Sequence, residues 1–94
     1  MKSLAFAPSF KRAYKATIRR RPDLQPKILG KLRLLSTDPF DMSLRTHKLK
    51  GRLAGAWSCS VEYDCRIVFD FVKNPDSGEE EILLIDIGTH DEVY

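Results

Sequence analysis

The hydrophobic periodicity of this chain changes once, and that change limits the folds it can adopt. In the first part, apolar residues recur at helical spacing, as at Leu24, Ile28, Leu32 and Leu35. From Trp57 onward, apolar and polar residues alternate instead, which is the period-two pattern of a half-buried strand. A helical segment followed by several short strands is typical of an α+β domain.

A helical hairpin is predicted after a short strand over Leu4–Ala7. The first helix is expected from Phe10 to about Arg20, with Ser9 as its N-cap. The second helix is expected from about Asp23 to Ser36, with Pro26 in its first turn. Because the linkage is short, the two amphipathic helices would pack side by side.

Three strands are predicted in the second half, over Trp57–Asp64, Cys65–Val72 and Glu81–Ile87, with a further short strand near Lys48. Turns join them, so neighbouring strands would pair antiparallel. The expected fold is a single α+β domain over residues 1–94, in the order β-α-α-β-β-β. The helical hairpin would cover one face of a small, twisted, antiparallel or mixed sheet.

Strand alternation predicts which side chains face the helices. The inward set is Trp57, Cys59, Val61, Tyr63, Ile67, Phe69, Phe71, Leu83, Ile85 and Ile87. The opposite set, on a face expected to be open, is Ser58, Ser60, Glu62, Arg66, Val68, Asp70, Ile82, Leu84 and Asp86. Two interpretations of Arg66 stay open. Its stem could pack while its head pairs with Glu62 or Asp86, or its guanidinium could bind a phosphate.

The net charge of +3 conceals a strong asymmetry between the two halves. Residues 1–52 hold fourteen Lys/Arg and three Asp/Glu (+11), whereas residues 53–94 hold two and ten (−8). Lys48, Lys50 and Arg52 alternate, as on a basic strand edge that follows a phosphate backbone. A solvated edge strand, or neutralisation by packing of the two halves, would explain the same pattern.

Several other classes of protein are disfavoured. Two cysteines are too few for a disulfide framework, so both are expected to be reduced. No apolar run is long enough to span a membrane and the N-terminus lacks a signal peptide, which favours a cytoplasmic protein. The chain's two histidines, His47 and His90, have no cluster of further ligands, so neither a metal nor another cofactor is expected.

The C-terminal residues carry side chains that suit proton transfer. His90 and Tyr94 lie four positions apart just after the last predicted strand. A rigid element commonly holds catalytic groups at its end. The alternative is a frayed terminus with a surface histidine and a packing tyrosine.

These pieces, taken in order, resemble the RelE/ParE superfamily of type II toxin–antitoxin toxins. The residues that carry the resemblance are His47-x-Leu49-x-Gly51, the strand of Trp57, the corner Asp64-x-Arg66, and Gly88-Thr89-His90 with Tyr94. The chain is most similar to the YafQ branch of mRNA interferases. The likeness extends over nearly the whole chain.

The resemblance implies a ribosome-dependent endoribonuclease that a cognate antitoxin silences in a hetero-oligomeric complex. His47, Asp64 and His90 match functional positions of the YafQ branch, and Tyr94 stands where an aromatic residue, usually Phe, is found. The branch often has a histidine where this chain has Ser60. A hydroxyl does not exchange protons near neutral pH as imidazole does, so either the activity is expected to be lower or the division of catalytic labour to differ.

Metal-free RNA cleavage uses the 2′-hydroxyl as nucleophile and needs a base, an acid and positive charge for the phosphorane. His90 is the candidate acid or base, with His47 as the alternative proton carrier. Asp64 would orient a histidine or act as base, and Tyr94 would stack on the target base. Positive charge would come from Arg66 and Lys50. The expected RNA-binding residues are Lys48, Lys50, Arg52 and Ser60.

Two other functions are compatible with the same residues. ParE-like toxins share the architecture and poison DNA gyrase, although they generally lack the His/Asp set. A non-catalytic module that binds RNA or a protein partner through the basic half is the second alternative.

Overall fold

The structure is a computed structural model that describes residues 1–53, 55–89 and 93 of the chain. Its helices and strands are, in order, β1 (Ser3–Phe6), α1 (Pro8–Arg20), α2 (Leu24–Thr37), β2 (His47–Lys48), β3 (Trp57–Glu62), β4 (Cys65–Lys73) and β5 (Glu80–Gly88). Short 3-10 helices cover Met42–Leu44 and Gly51–Leu53. The predicted order of elements is confirmed, including the short strand at Lys48.

One mixed sheet contains the five strands, in the order β1-β5-β4-β3-β2. β1 pairs parallel with β5, and the long connection that a parallel pair needs is made by everything between them, from α1 to β4. The other three pairings are antiparallel. The α+β prediction, with the helices on one face of a mixed sheet, is confirmed.

The hydrophobic core lies between the two helices and one face of the sheet. Its residues are Phe10, Leu24, Ile28, Leu32 and Leu35 from the α-helices, Leu44 from the first 3-10 helix, and Cys59, Val61, Cys65, Ile67, Phe69, Ile82, Leu84 and Ile87 from the sheet. The predicted apolar stripe of α2 is therefore confirmed. Burial of each large aliphatic side chain contributes about 1.5–3 kcal/mol, so this cluster dominates the stability.

The start of α1 differs from the prediction. The helix begins at Pro8, and its N-cap is Ala7, which makes no side-chain cap bond. Proline suits the first helical position because its φ is preset and its missing N–H is not needed there. Ser9 is not the cap. Its Oγ donates to the carbonyl oxygen of Ile85 at 2.6 Å and ties the first turn of α1 to β5.

A β-bulge in β5 reverses part of the predicted inward face. The register of β4 and β5 shifts just after Val68, where β5 has one extra residue, Ile85. In β5, the side chains before the bulge therefore point to the opposite faces from those that simple alternation predicts. Consequently Ile82 and Leu84 lie in the core, and the prediction that Leu83 and Ile85 face the helices is wrong.

The face away from the helices is closed at its centre rather than open. Ser58 and Val68 are cross-strand partners on this face, and their exposed fractions are 0% and 1%. Val93, beyond the end of β5, is also buried. The prediction of a fully open face is therefore wrong, although its edge near Ser60 stays accessible.

Neither α1 nor α2 is long and apolar enough to cross a bilayer, and the described parts of the chain hold no other α-helix of comparable length.

Candidate active site

Arg66 is a charged side chain that hydrogen bonds hold on the sheet face away from the helices. It pairs with Ser60 on β3 and with Gly88 on β5. Its Nη1 donates to Oγ of Ser60 at 2.8 Å and to the carbonyl oxygen of Glu62 at 2.9 Å. Only this nitrogen is bonded to another described residue, so the remaining donors of the guanidinium can bind an anion.

The carboxylate of Glu62 does not neutralise Arg66. Its oxygens lie 3.0 Å from Nζ of Lys27 and 3.1 Å from Nη2 of Arg21, both on the helical hairpin. The hydrogen bond from Lys27, followed by the charges of Lys27 and Arg21, lowers the pKa of the Glu62 carboxyl. Neither Glu62 nor Asp86 forms an ion pair with Arg66. The interpretation in which Arg66 pairs with one of these carboxylates is therefore wrong.

His47 lies on the same sheet face as Arg66. It pairs with Ser58, and residues two apart on a strand, such as Ser58 and Ser60, point to one side. Nδ1 of His47 lies 2.9 Å from the carbonyl oxygen of Arg45. A carbonyl only accepts, so this contact requires a proton on Nδ1 and leaves Nε2 with a lone pair in the neutral ring.

Asp64 lies in the turn between β3 and β4 and is exposed. It lines a cleft of about 150 Å³ together with Arg20, Arg21 and Gly88. Arg66 lines a different cleft of about 260 Å³. Asp64 and Arg66 are therefore near neighbours in the chain that open onto different depressions of the surface.

The two cysteines offer no nucleophile for either cleft. Cys59 and Cys65 are buried and form no disulfide. Burial raises the pKa of the Cys59 thiol to about 12 and that of the Cys65 thiol to about 11. Both thiols therefore stay protonated near neutral pH, and their role is packing.

The basic segment after His47 does not form a continuous strand edge. β2 ends at Lys48, Lys50 follows it as an exposed residue, and Gly51 opens a 3-10 helix with φ 73°. The backbone of Arg52 belongs to that helix, and its side chain lies outside what the structure describes. Glycine favours this left-handed conformation, which explains the break in the predicted pattern.

Lys48 points to the helix side of the sheet, away from His47. It pairs with Trp57, and its Nζ lies 5.7 Å from the centroid of the Trp57 ring, a cation–π distance. Phe40 packs edge-on against the same ring. RNA contact by Lys48 and Lys50 remains a prediction, and Lys48 would make it from the opposite face to Arg66.

His90 and Tyr94 lie outside the described residues. Gly88 is the last residue of β5 and the cross-strand partner of Arg66. His90 is the second residue after Gly88 in the sequence.

The side chains that line the Arg66 cleft include Arg45 and Tyr63, neither of which was predicted to belong to the site. Tyr63 was expected to face the helices, but its exposed fraction is 93%. The reason is that β3 ends at Glu62 and the next two residues form the turn into β4. The turn-forming aspartate after Tyr63 is the sequence signal that indicates this end of the strand.

No group of three or more His, Cys, Asp or Glu side chains is arranged to hold a metal ion in the described part of the chain.

A helical hairpin packed on a mixed five-stranded sheet, with arginine, serine and histidine on the other face, defines a small toxin of the RelE/ParE type. Residues 2–94 match the family described as bacterial toxin of type II toxin-antitoxin system, YafQ. The chain belongs to this family and is a toxin of a type II toxin–antitoxin system.

Solved structures agree with this assignment. YafQ from E. coli strain BL21(DE3) is 17% identical with a TM-score of 0.80, over 100% of this chain and 99% of that one. The E. coli DinJ-YafQ complex gives 17% identity and a TM-score of 0.78, again over 100% and 99%. A YoeB/ParE toxin from Agrobacterium tumefaciens is 26% identical with a TM-score of 0.74, over 96% and 99%. No curated protein sequence is significantly similar.

Proposed function

We propose that this toxin is an endoribonuclease that cuts mRNA on the translating ribosome, by attack of a 2′-hydroxyl on the adjacent phosphate and without a metal ion. The observation that carries the proposal is the guanidinium of Arg66. Ser60 and the main chain of Glu62 hold it on the sheet face that also bears His47. Working on ribosomes would require the protein to act in the cytoplasm.

Arg66 stabilises the phosphorane in this mechanism. Negative charge develops on the non-bridging oxygens during the attack, and a positioned guanidinium binds two such oxygens through its planar fork. Because Nη1 is already bonded to Ser60 and Glu62, the group keeps its orientation when the substrate arrives. The neutralised Glu62 carboxylate leaves the positive charge of Arg66 for the RNA.

Proton transfer requires an acid and a base, and the two histidines provide them. Nε2 of His47 exchanges a proton with the RNA, because Nδ1 is bonded to the carbonyl of Arg45. His90, two residues beyond the partner of Arg66, is the second proton carrier. Asp64 orients His90 from the turn between β3 and β4, and Tyr94 stacks on the target base. Ser60 has a positioning role in place of an imidazole.

The ribosome supplies orientation that this sparse site lacks. Fixing the RNA in a reactive geometry replaces catalytic groups that the protein does not carry. Free RNA is therefore expected to be a poor substrate.

The test is cleavage of mRNA on programmed ribosomes by purified wild-type protein and by His90→Ala. Loss of one proton-transfer group lowers the rate by about 10²–10⁴-fold. With Mg²⁺ kept at the level that the ribosome needs, cleavage should require no added transition-metal ion. An unaffected His90→Ala variant, or efficient cutting of naked RNA, would contradict the proposal.

The same preparations separate the alternatives. A gyrase poison would cause gyrase-dependent DNA cleavage and leave ribosomal mRNA intact. A non-catalytic binding module would leave both intact, and its expression alone would not arrest growth.

The partner proposed for the helical hairpin is an acidic helix of the cognate antitoxin, in a hetero-oligomeric complex. An apolar groove of about 280 Å³ lies there, and its lining includes Phe6, Phe10 and Leu29. Exposed fractions of 45% for Phe6 and 47% for Leu29 are high for such residues. Lys11 and Lys15 flank the groove, so an amphipathic helix with acidic edges fits it.

Leu29→Glu places a charge in this groove and should weaken antitoxin binding at least tenfold, whereas Met42→Glu, at an exposed position in a 3-10 helix, should not. Calorimetry with the antitoxin encoded beside the toxin measures both. Equal affinities would show that the antitoxin binds elsewhere.

A further inference from the structure

We propose that Arg45 and Tyr63 form an RNA-binding subsite beside Arg66, in which Arg45 binds a neighbouring phosphate and Tyr63 stacks on a base. The inference rests on the proposed function, since it concerns the RNA that Arg66 holds. The three side chains line one cleft of about 260 Å³ with Ser60.

The charge of the cleft points to an anion. Arg45 and Arg66 both line it, and the carboxylate that also lines it belongs to Glu62. Lys27 and Arg21 already hold that carboxylate. Among the described residues, no carboxylate forms an ion pair with Arg45 or with Arg66. Arginine suits phosphate because its planar fork binds two oxygens.

The backbone of Arg45 indicates that its position is imposed by the surrounding structure. Its φ of 51° and ψ of 41° are left-handed, and no other described residue besides glycine has a positive φ. A side chain makes this conformation costly, and glycine would avoid the cost. The conformation ends the Met42–Leu44 turn and directs the Arg45 carbonyl to His47. Arg45 thus couples the cleft to the proposed proton carrier.

Tyr63 has the exposure and the support of a stacking platform. Its exposed fraction of 93% leaves the ring face free, although aromatic rings are normally at least half-buried. It lies in a two-residue turn between two paired strands, which limits its backbone motion. Base stacking on such rings tolerates any sequence and is the usual way in which proteins hold single-stranded RNA.

The two side chains predict different signatures in one binding experiment. The probe is a short single-stranded RNA with a 2′-deoxy nucleotide at the cleavage position, titrated at several salt concentrations. Each lost phosphate contact reduces the slope of log K against log salt by about 0.7. Arg45→Asn, which tolerates the left-handed backbone, should lower the slope by about that amount. Arg33→Gln, which removes an exposed charge from α2, should leave it unchanged.

Tyr63→Ser should weaken binding about tenfold at every salt concentration without changing the slope, because stacking is not electrostatic. Tyr63→Phe keeps the ring and should bind like the wild type. The inference is overturned if Tyr63→Ser binds like Tyr63→Phe, if Arg45→Asn keeps the wild-type slope, or if the wild type does not bind the probe at low salt. Thermal denaturation confirms that each variant is folded.

Cleavage on programmed ribosomes keeps the two proposals apart. If the wild type cleaves mRNA but Arg45→Asn and Tyr63→Ser bind the RNA probe as the wild type does, the subsite alone is overturned. Absence of wild-type cleavage would overturn the endoribonuclease, while the binding signatures would still decide the subsite.

Discussion

Ser60 and Arg66 are cross-strand partners, and Oγ of Ser60 accepts a hydrogen bond from Nη1 of Arg66 at 2.8 Å. The serine stands where the YafQ branch often has a histidine. In this chain the position therefore serves to orient a cation.

Replacing Ser60 tests this positioning role. Ser60→Ala leaves Nη1 of Arg66 with the Glu62 carbonyl alone and should lower the cleavage rate about tenfold, as expected for one hydrogen bond to a charged group. Ser60→Thr keeps the hydroxyl and should restore most of the rate. Single-turnover cleavage on ribosomes measures both. Equal rates for the alanine variant and the wild type would rule out the role.

His47 can be tested with two amides that mimic different ring nitrogens. His47→Asn can still donate to the Arg45 carbonyl, whereas His47→Gln places its amide near the position of Nε2. Because neither transfers a proton, both should lower cleavage by about 10²–10⁴-fold and remove one limb of the pH–rate profile. An asparagine variant with the wild-type rate would show that His47 only holds the Arg45 loop.

Acid stability should depend on Glu62. Contacts with Lys27 and Arg21 lower its pKa in the folded protein relative to the unfolded chain. Its stabilising effect is therefore full above the unfolded pKa, near 4.5, and is lost as the pH falls through the lower folded value. Glu62→Gln should flatten the acid limb of stability against pH, measured by urea denaturation.

The matched control for that experiment is Glu79→Gln, on an exposed turn. It should leave the acid limb as steep as in the wild type. An unchanged limb in Glu62→Gln would mean that the ion pairs with the hairpin do not contribute in solution.

The contact between Ser9 and the bulge of β5 predicts a stability change far from the site. Ser9→Ala removes the hydrogen bond to the carbonyl of Ile85 and should lower the free energy of unfolding by about 1 kcal/mol. For a chain of this size the corresponding drop in Tm is about 4–8 °C. Ser3→Ala, on β1, is the comparison, and a similar Tm for both would show that the bond adds nothing.

Periodicity predicted most of the fold because the buried stripes are long and regular. The apolar stripe of α2 from Leu24 to Leu35 lies in the core as expected. So do Cys59 on β3 and Ile67 on β4, which strand alternation predicted to face the helices. The predictions that failed are those in which a single extra residue in a strand changes which face its side chains occupy. The extra residue Ile85 inverts half of β5, and such a bulge leaves no mark in local alternation.

The site was predictable to the extent that it follows from strand register. Pairing of β3 with β4 brings Ser60 to Arg66, and both were named from the sequence. Arg45 and Tyr63 were not named as site residues. The left-handed backbone of Arg45 and the exposure of Tyr63 in its turn follow from loop geometry, which only the tertiary structure defines. The separate cleft of Asp64 likewise depends on where the end of α1 packs.

Pairing of Ser3 with Glu81 joins the first strand to the last across nearly the whole chain. Such distant pairing delays folding, because the early segment must wait for its partner to be synthesised. A nascent copy still inside the exit tunnel therefore lacks the strand that faces Arg66. Folding that waits for the last strand would leave an interval after synthesis in which the antitoxin can bind the newly released polypeptide.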